Sequence, residues 1–285
     1  MVIGEELSRI IEILKDNGND NPYFEAHLIF RHILKLSPTD LVLSRNKEIS
    51  EESIEVINGY VKRRINHEPL QYILNSQEFM GIGFYVDENV LIPRQDTETL
   101  VEHILEHFKG EAINAIDIGT GSGCIAVSIA KFNKKAFFNA VDISEKALEV
   151  AKRNAEDNGV SDRINFVEAD IFTYEPYGKY DLIVSNPPYI KSADIEGLQQ
   201  DVNAFEPHGA LDGGATGLSY YERIVKISPK LLNINGMLAF EVGFDQAEDV
   251  KKLMEKDFCD IKIIKDLCKV ERVVSGIYKG NSCVD

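Results

Sequence analysis

Little in this chain of 285 residues is basic. Lys and Arg number 31 against 47 Asp and Glu, a formal net charge of −16. A sequence-independent nucleic-acid binder needs a basic surface to displace counterions, and the average field here repels phosphate. The densest basic run, Lys62-Arg63-Arg64, reads either as a small local patch or as a solvated helix face. The acid excess favours a protein or small-molecule acceptor over bulk nucleic acid. Cysteine is scarce as well. Cys124, Cys259, Cys268 and Cys283 form no Cys-x-x-Cys pair and have no His at metal-ligand spacing. Structural or incidental thiols in a reducing compartment are expected, and no metal. No apolar run is long enough to span a bilayer, and the Met1 region carries Glu5 and Glu6 rather than a basic, apolar leader. A cytoplasmic protein without a membrane partner is the expectation. Internal repeats and low-complexity tracts are also missing.

What is present divides in two. Over residues 1–75 the apolar spacing predicts a helical bundle. Leu7, Ile10, Ile11 and Leu14 recur at helical spacing up to Gly18-Asn19, and Asn21-Pro22 opens a second helix carrying Ala26, Ile29, Phe30, Ile33 and Leu34. Ser37-Pro38-Thr39-Asp40 reads as a break, and Ser50 as the cap of a third helix with Ile54, Val56, Ile57, Tyr60 and Val61. No catalytic cluster is evident there, so partner recognition is the expected role. Residues 76–92 form the connector, where Phe79 to Ile92 alternate like a β-hairpin turning at Asp87-Glu88-Asn89. Over residues 93–285 an alternation of strands and helices predicts a parallel sheet covered on both faces. Its strands are placed at 112–118, 136–141, 164–167, 180–185, 237–242, 261–264 and 273–278, with a short polar tail expected to fray after Lys279.

The first of these strands runs into Gly119-Thr120-Gly121-Ser122-Gly123 and then a helix. Strand, glycine turn and helix bring backbone amides and a helix N-terminus against a ligand. A dinucleotide fingerprint wants glycine at its sixth position, which is Cys124 here, and no Gly-Lys-Ser/Thr follows to make a P-loop. The pattern from Asp117 to Gly123 instead resembles the first motif of S-adenosylmethionine-dependent methyltransferases. The next strand ends at Asp142, where an acid can accept from ribose hydroxyls. Asp170 follows the third strand, placed either to read the adenine amino group with Ile171 flanking the ring, or to serve as a turn or cap residue.

The strand Tyr180–Ser185 ends in Asn186-Pro187-Pro188-Tyr189. Proline fixes φ, supplies no N–H and keeps Asn186 extended. An Asn side chain and a proline carbonyl then stand side by side, two acceptors for the two hydrogens of a planar –NH2 group. That arrangement suits chemistry on an amino or amide nitrogen, whereas turn formation is the plainer account of Asn-Pro-Pro taken alone. The loop from Lys191 to Gly217 leaves directly from this motif and is long enough to suggest a lid over the acceptor pocket.

With these segments the chain resembles the release-factor glutamine methyltransferases of the PrmC/HemK type. Leu91-Ile92-Pro93-Arg94, Asp96 to Val101, Asp117 to Gly123, Val141 to Ser144, Asn186 to Ile190, Phe205-Glu206-Pro207 and Ala210 to Gly214 carry the resemblance. It extends into the helical part through Tyr23 to Ala26 and Glu68 to Ile73. Gln95 stands where the family usually has proline, and the 266–272 segment lacks the usual glycine.

The resemblance implies an α/β, Rossmann-like class I methyltransferase domain behind a small helical domain. It implies transfer of a methyl group from S-adenosylmethionine, leaving S-adenosylhomocysteine, to the glutamine of a Gly-Gly-Gln motif in class 1 peptide chain release factors. Asn186, Pro187 and Tyr189 are the expected catalytic residues, and Asn186, Pro187, Pro188 and Tyr189 the expected acceptor contacts. For the cofactor the expected residues are Asp117, Gly119, Thr120, Gly121, Ser122, Gly123, Asp142, Asp170, Ile171 and Asn186. Arg94, Thr97 and Glu98 could order the donor pocket or cap the helix that begins there, with a structural role favoured for Thr97. A monomer without direct nucleic-acid contact is expected. An adenine-N(6) methyltransferase acting on RNA or DNA is the competing reading, because an exocyclic amino group poses the same two-hydrogen problem.

Overall fold

The computed structural model describes residues 1–174 and 176–280; part of the tail expected to fray, and Cys283 with it, lies outside these. The chain divides into two compact units. One holds Met1–Asn75 with Gln200–Phe205, and the other holds Ser76–Gln199 and the chain from Glu206 onward.

In the first unit, α1 (Ile3–Asp16), α2 (Pro22–Leu34), α3 (Pro38–Leu43), α4 (Glu51–Ile65) and α5 (Leu70–Leu74) pack around Leu7, Ile10, Leu14, Ile29, Phe30 and Ile57. Each such fully buried side chain contributes about 2 kcal/mol. The helix starts follow local chemistry. Ser50 Oγ accepts from the Ser53 N–H, and Pro22 occupies the first turn of α2. The Ser37-Pro38 segment read as a break is the start of α3, because Ser37 Oγ accepts from the Asp40 N–H and Pro38 is preset for the first turn. In the basic run of α4, Arg63 pairs with Glu68, and Arg64 pairs with Glu25 at 2.7 Å.

The second unit opens with β1 (Gln77–Phe79) and β2 (Ile82–Phe84), an antiparallel hairpin. It is shorter and earlier than the alternation suggested. The turn falls at Met80-Gly81, both at positive φ, as a two-residue hairpin turn requires. Asp87 instead forms a local turn by accepting from the Asn89 N–H, and no strand follows it.

Then come α6 (Gln95–Phe108), β3 (Ile113–Ile118), α7 (Cys124–Phe132), β4 (Ala136–Asp142), α8 (Glu145–Asp157), β5 (Ile164–Glu168) and β6 (Tyr180–Ser185). The chain continues through α9 (Gln200–Phe205), α10 (Ser219–Leu231), β7 (Leu232–Glu241), α11 (Ala247–Met254), β8 (Phe258–Lys265) and β9 (Glu271–Tyr278). Of these, α9 belongs to the first unit.

The seven-stranded sheet has the order β5-β4-β3-β6-β7-β9-β8. Strands β3 to β7 pair in parallel, while β9 runs antiparallel to both β7 and β8. Side-chain alternation sends Ala115, Leu182, Val184 and Met237 to one face with Leu100 and Ile104 of α6. Ile116, Ile183, Leu238 and Phe240 go to the other, with Ile224 of α10 and Val250 of α11. Among the described residues no helix is long and apolar enough to cross a membrane.

Candidate active site

Strand order reverses at β3. The chain steps outward through β4 and β5, then returns to place β6 on the other side of β3. In such sheets ligands bind beyond the carboxyl ends of the strands at this switch point. A cavity lies there, enclosing about 1170 Å³ of space with its mouth included. The ends of β3, β4 and β6 and the segments after β5 and before α6 form its walls.

The donor wall is the glycine turn. Gly119, Gly121 and Gly123 all sit at positive φ, which side-chain-bearing residues rarely adopt. Gly119, Thr120, Gly121 and Ser122 line the cavity. Gly123 instead caps α7 against α8, where an added Cβ would come within 3.1 Å of Ala151 Cβ. Asp142 lines the cavity and braces the turn: Oδ2 accepts from the Gly121 N–H at 2.8 Å, Oδ1 from the Ser144 N–H at 3.0 Å. A carboxylate has about four lone-pair sites, so hydroxyl donors can still be received. Burial holds its pKa above the usual range.

Asp117 is not part of this wall. Fully buried behind the turn, it accepts from the Thr120 hydroxyl at 2.7 Å, and Oδ1 has no partner among the described residues. Desolvation pushes its pKa up to about 7. The expectation of direct ligand contact is replaced by support of the loop, because the carboxylate turns to the hydroxyl beside it. Asp170 and Ile171 line the far end, and Asp170 Oδ1 accepts from the Phe172 N–H, so one residue is both turn-former and wall.

On the acceptor wall stand Asn186, Pro187 and Pro188. Ser185 Oγ donates to the Ile118 carbonyl at 2.6 Å, locking the end of β6 to the end of β3. The following backbone is fixed too. Ile190 donates to the Leu211 carbonyl and Gly213 to that of Ile190, and Gln246 Nε2 donates to the Tyr189 carbonyl. Gly213 is needed for this approach, since a Cβ there would lie 2.7 Å from Tyr189 Cα and 2.8 Å from the Pro188 carbonyl oxygen. The Tyr189 ring does not line the cavity. It packs against the apolar cluster around β7, and burial raises its hydroxyl pKa to about 12. The expected stacking on an acceptor is thus replaced by core packing, which the aromatic surface favours.

The start of α6 carries Arg94, Thr97 and Glu98, which the structure sends to different places. Arg94 lines the cavity and pairs with buried Glu206 at 2.7 Å. Thr97, also lining it and buried, accepts from Asn186 Nδ2 at 3.3 Å. Glu98 faces away and accepts from the Met80 N–H at 2.6 Å, bracing the hairpin.

Sequence reasoning missed Glu241. It ends β7, and the pairing of Ser185 with Phe240 sets it beside Asn186. It is 1 % exposed and does not line the cavity, standing behind Thr97 and Asn186. The available signal was an acid inside the apolar run Met237 to Val242. Asn89, Val90 and Leu91, and Pro207, Gly209 and Ala210 beyond α9, complete the walls and carry no chemistry that would have marked them.

Residues 5–74 match the PrmC N-terminal domain and residues 94–203 the methyltransferase small domain. A release factor glutamine methyltransferase of Geobacter sulfurreducens is 42 % identical over 92 % of this chain and 92 % of its own. One from Chlorobaculum tepidum is 37 % identical over 95 % of this chain and 98 % of its own. The chain belongs to the release factor glutamine methyltransferase family. Among solved structures, the catalytic domain of hMettl16 in complex with MAT2A 3'UTR hairpin 6 shares the fold, with a TM-score of 0.56 at 16 % identity over 83 % of this chain and 85 % of that one.

As a family member the chain is an S-adenosylmethionine-dependent methyltransferase. Its residues fit that cofactor: the turn offers backbone without Cβ atoms for close approach, while Asp142 and Asp170 place acceptors along the cavity.

Proposed function

We propose that this chain methylates the side-chain amide nitrogen of the glutamine in the Gly-Gly-Gln motif of class 1 peptide chain release factors. The observation that carries the reading is the posture of Asn186. Its Nδ2 is taken up by Thr97, so its carbonyl oxygen is the atom left to accept from a ligand in the cavity. S-adenosylmethionine, when bound, supplies a methyl group already activated by a positive sulfur.

An amide nitrogen is a poor nucleophile because its lone pair is delocalised into the carbonyl. Asn186 Oδ1 and the Pro187 carbonyl would accept its two hydrogens, hold the amide and aim the lone pair along the transfer line. Partial negative charge on both acceptors favours the nitrogen as it becomes positive, and once the methyl group has left the sulfur for the nitrogen one of the two amide hydrogens departs as a proton. Pro188 closes the wall beside it. Tyr189 contributes from behind, fixing the motif through its carbonyl and its packed ring. On the donor side Gly119, Thr120, Gly121 and Ser122 cradle the cofactor with Asp142, Asp170 and Ile171, and Asp117 holds the turn in shape.

The helical unit would dock the release factor. It exposes Tyr23, Phe24 and Leu43, large apolar side chains suited to a protein surface, and the net charge of −16 suits a basic partner. We take the chain to act in the cytoplasm as a monomer and without nucleic acid. The test is methyl transfer from labelled S-adenosylmethionine to a purified release factor, beside a Gln→Ala control in its Gly-Gly-Gln motif and an RNA panel. Label on the intact factor that is lost in the control is the expected result. Label on RNA alone would overturn the substrate and favour an adenine amino group.

A further inference from the structure

We propose that Glu241, in its ionised form, sets which way the Asn186 amide faces and is therefore a positioning residue for transfer. The inference rests on the acceptor reading above and concerns a residue that touches neither wall surface.

An ionised carboxylate can only accept hydrogen bonds. Thr97 Oγ1 accepts from Asn186 Nδ2 at 3.3 Å, so the one hydroxyl hydrogen of Thr97 is free to go to the Glu241 carboxylate beside it. The register of β6 and β7 sets Asn186 beside the same carboxylate. The three groups form a one-way set of donations that ends on the carboxylate. With Nδ2 held there, Oδ1 must face the cavity, the orientation that accepts from an –NH2 group. Neutral Glu241 is itself a donor and releases the constraint. It can donate to Thr97, Thr97 can donate to Asn186 Oδ1, and the Asn186 amide can turn its own –NH2 to the cavity. Two –NH2 groups facing each other cannot pair.

The surroundings keep this switch near neutrality. Burial raises the Glu241 pKa to about 7, with the hydrogen bonds from Thr97 and Asn186 working the other way. Asp96 on α6 adds to the rise, and Arg272 on β9 opposes it while pairing with Asp96 at 2.8 Å. Tyr189 after β6, Tyr221 on α10 and Cys124 on α7 also face it, all with pKa values raised by burial and thus neutral in this range. One carboxylate oxygen, Oε2, has no partner among the described residues, so the charge is held by few bonds and responds to the loss of any.

The experiment has two arms. In the first, the Asn186 side-chain amide resonances, identified by their loss in Asn186→Asp, are followed by NMR from pH 5.5 to 8.5. A transition with a midpoint near 7 that disappears in Glu241→Gln is expected. Resonances with the same pH response in both proteins would overturn the proposal, whatever the acceptor turns out to be.

In the second arm, turnover on the release factor is measured for the wild type and variants. Glu241→Gln should lower kcat about 100-fold, with the affinity for S-adenosylmethionine within about threefold, because the defect is one of aim. Wild-type kcat should rise with pH through about 7, a limb absent from Glu241→Gln. Thr97→Val should mimic Glu241→Gln, and Thr97→Ser should recover most of the lost turnover. Full turnover in Glu241→Gln would overturn the proposal. Failure of the wild type to label any release factor would instead overturn the acceptor reading, with the NMR arm still deciding this one.

Discussion

Behind the donor wall stands Asp117 and behind the acceptor wall stands Glu241, both almost fully buried near the carboxyl ends of parallel strands. Each leaves one carboxylate oxygen without a partner among the described residues, and desolvation raises each pKa to about 7. What differs is what they hold. Asp117 takes the hydroxyl of Thr120, a residue of the glycine turn itself, and so shapes backbone. Glu241 stands against Thr97 and Asn186, side chains from a helix and a strand end, and so can aim a functional group. The same costly device serves a cofactor cradle in one place and an acceptor orientation in the other. Substitutions should therefore divide cleanly between cofactor affinity and turnover.

The largest effect is expected at the acceptor wall. Asn186→Ala removes the acceptor from Oδ1 and should reduce kcat about 1000-fold, in the range for loss of one preorganised polar group. Cofactor affinity, measured by calorimetry, should change little. A loss of affinity as large as that of Asp142→Ala would merge the two walls and break the comparison. Gly213→Ala comes next. Its Cβ would press on the Pro188 and Tyr189 backbone, which cannot yield without moving the wall. About a 100-fold loss of kcat is expected, again with near-normal cofactor binding. On the donor side, Asp142→Ala frees the Gly121 and Ser144 amides and removes an acceptor. Cofactor Kd should rise about 10- to 100-fold, the measure of one or two charge-assisted hydrogen bonds.

How far the sequence disclosed these walls depended on whether the chemistry was local. The glycine turn, Asp142 and Asn186-Pro187-Pro188 each announce themselves within a few residues, since φ restrictions and strand ends are written in neighbouring positions. The seven strands were legible from apolar runs, although β7 and β8 both begin earlier than those runs suggest. Glu241 was not legible, because its meaning lies in Thr97 and Asn186, which reach it only through the sheet register and the docking of α6. Tyr189 belongs to the same class: the sequence places it next to the motif, but only packing decides that its ring enters the core around β7. The hairpin turn was misplaced because Met80 adopts a positive φ that its side chain gives no reason to expect.

The smallest expected effect separates stability from activity. Asp117 and Glu241 bind protons more tightly in the folded protein than when unfolded, since both pKa values are raised. The folded state therefore holds more protons between about pH 4 and about pH 7, and stability must fall as pH rises across that window. The full contribution is present below the unfolded values and is lost by the time pH passes the folded ones. At about 1.4 kcal/mol per pKa unit, each acid accounts for at most about 3 to 4 kcal/mol of this slope. Thermal unfolding of the cofactor-free protein from pH 5 to pH 8 should show a falling Tm, flattened in part by Asp117→Asn and in part by Glu241→Gln. A slope unchanged in both variants would show that neither acid is ionised against a desolvation penalty. Glu241 sharpens the contrast with Asp117, because the pH range in which its ionisation weakens the fold is the range in which turnover should rise. Glu241→Gln is therefore expected to gain stability at pH 8 while losing turnover, and a variant that lost both would return this residue to a purely structural role.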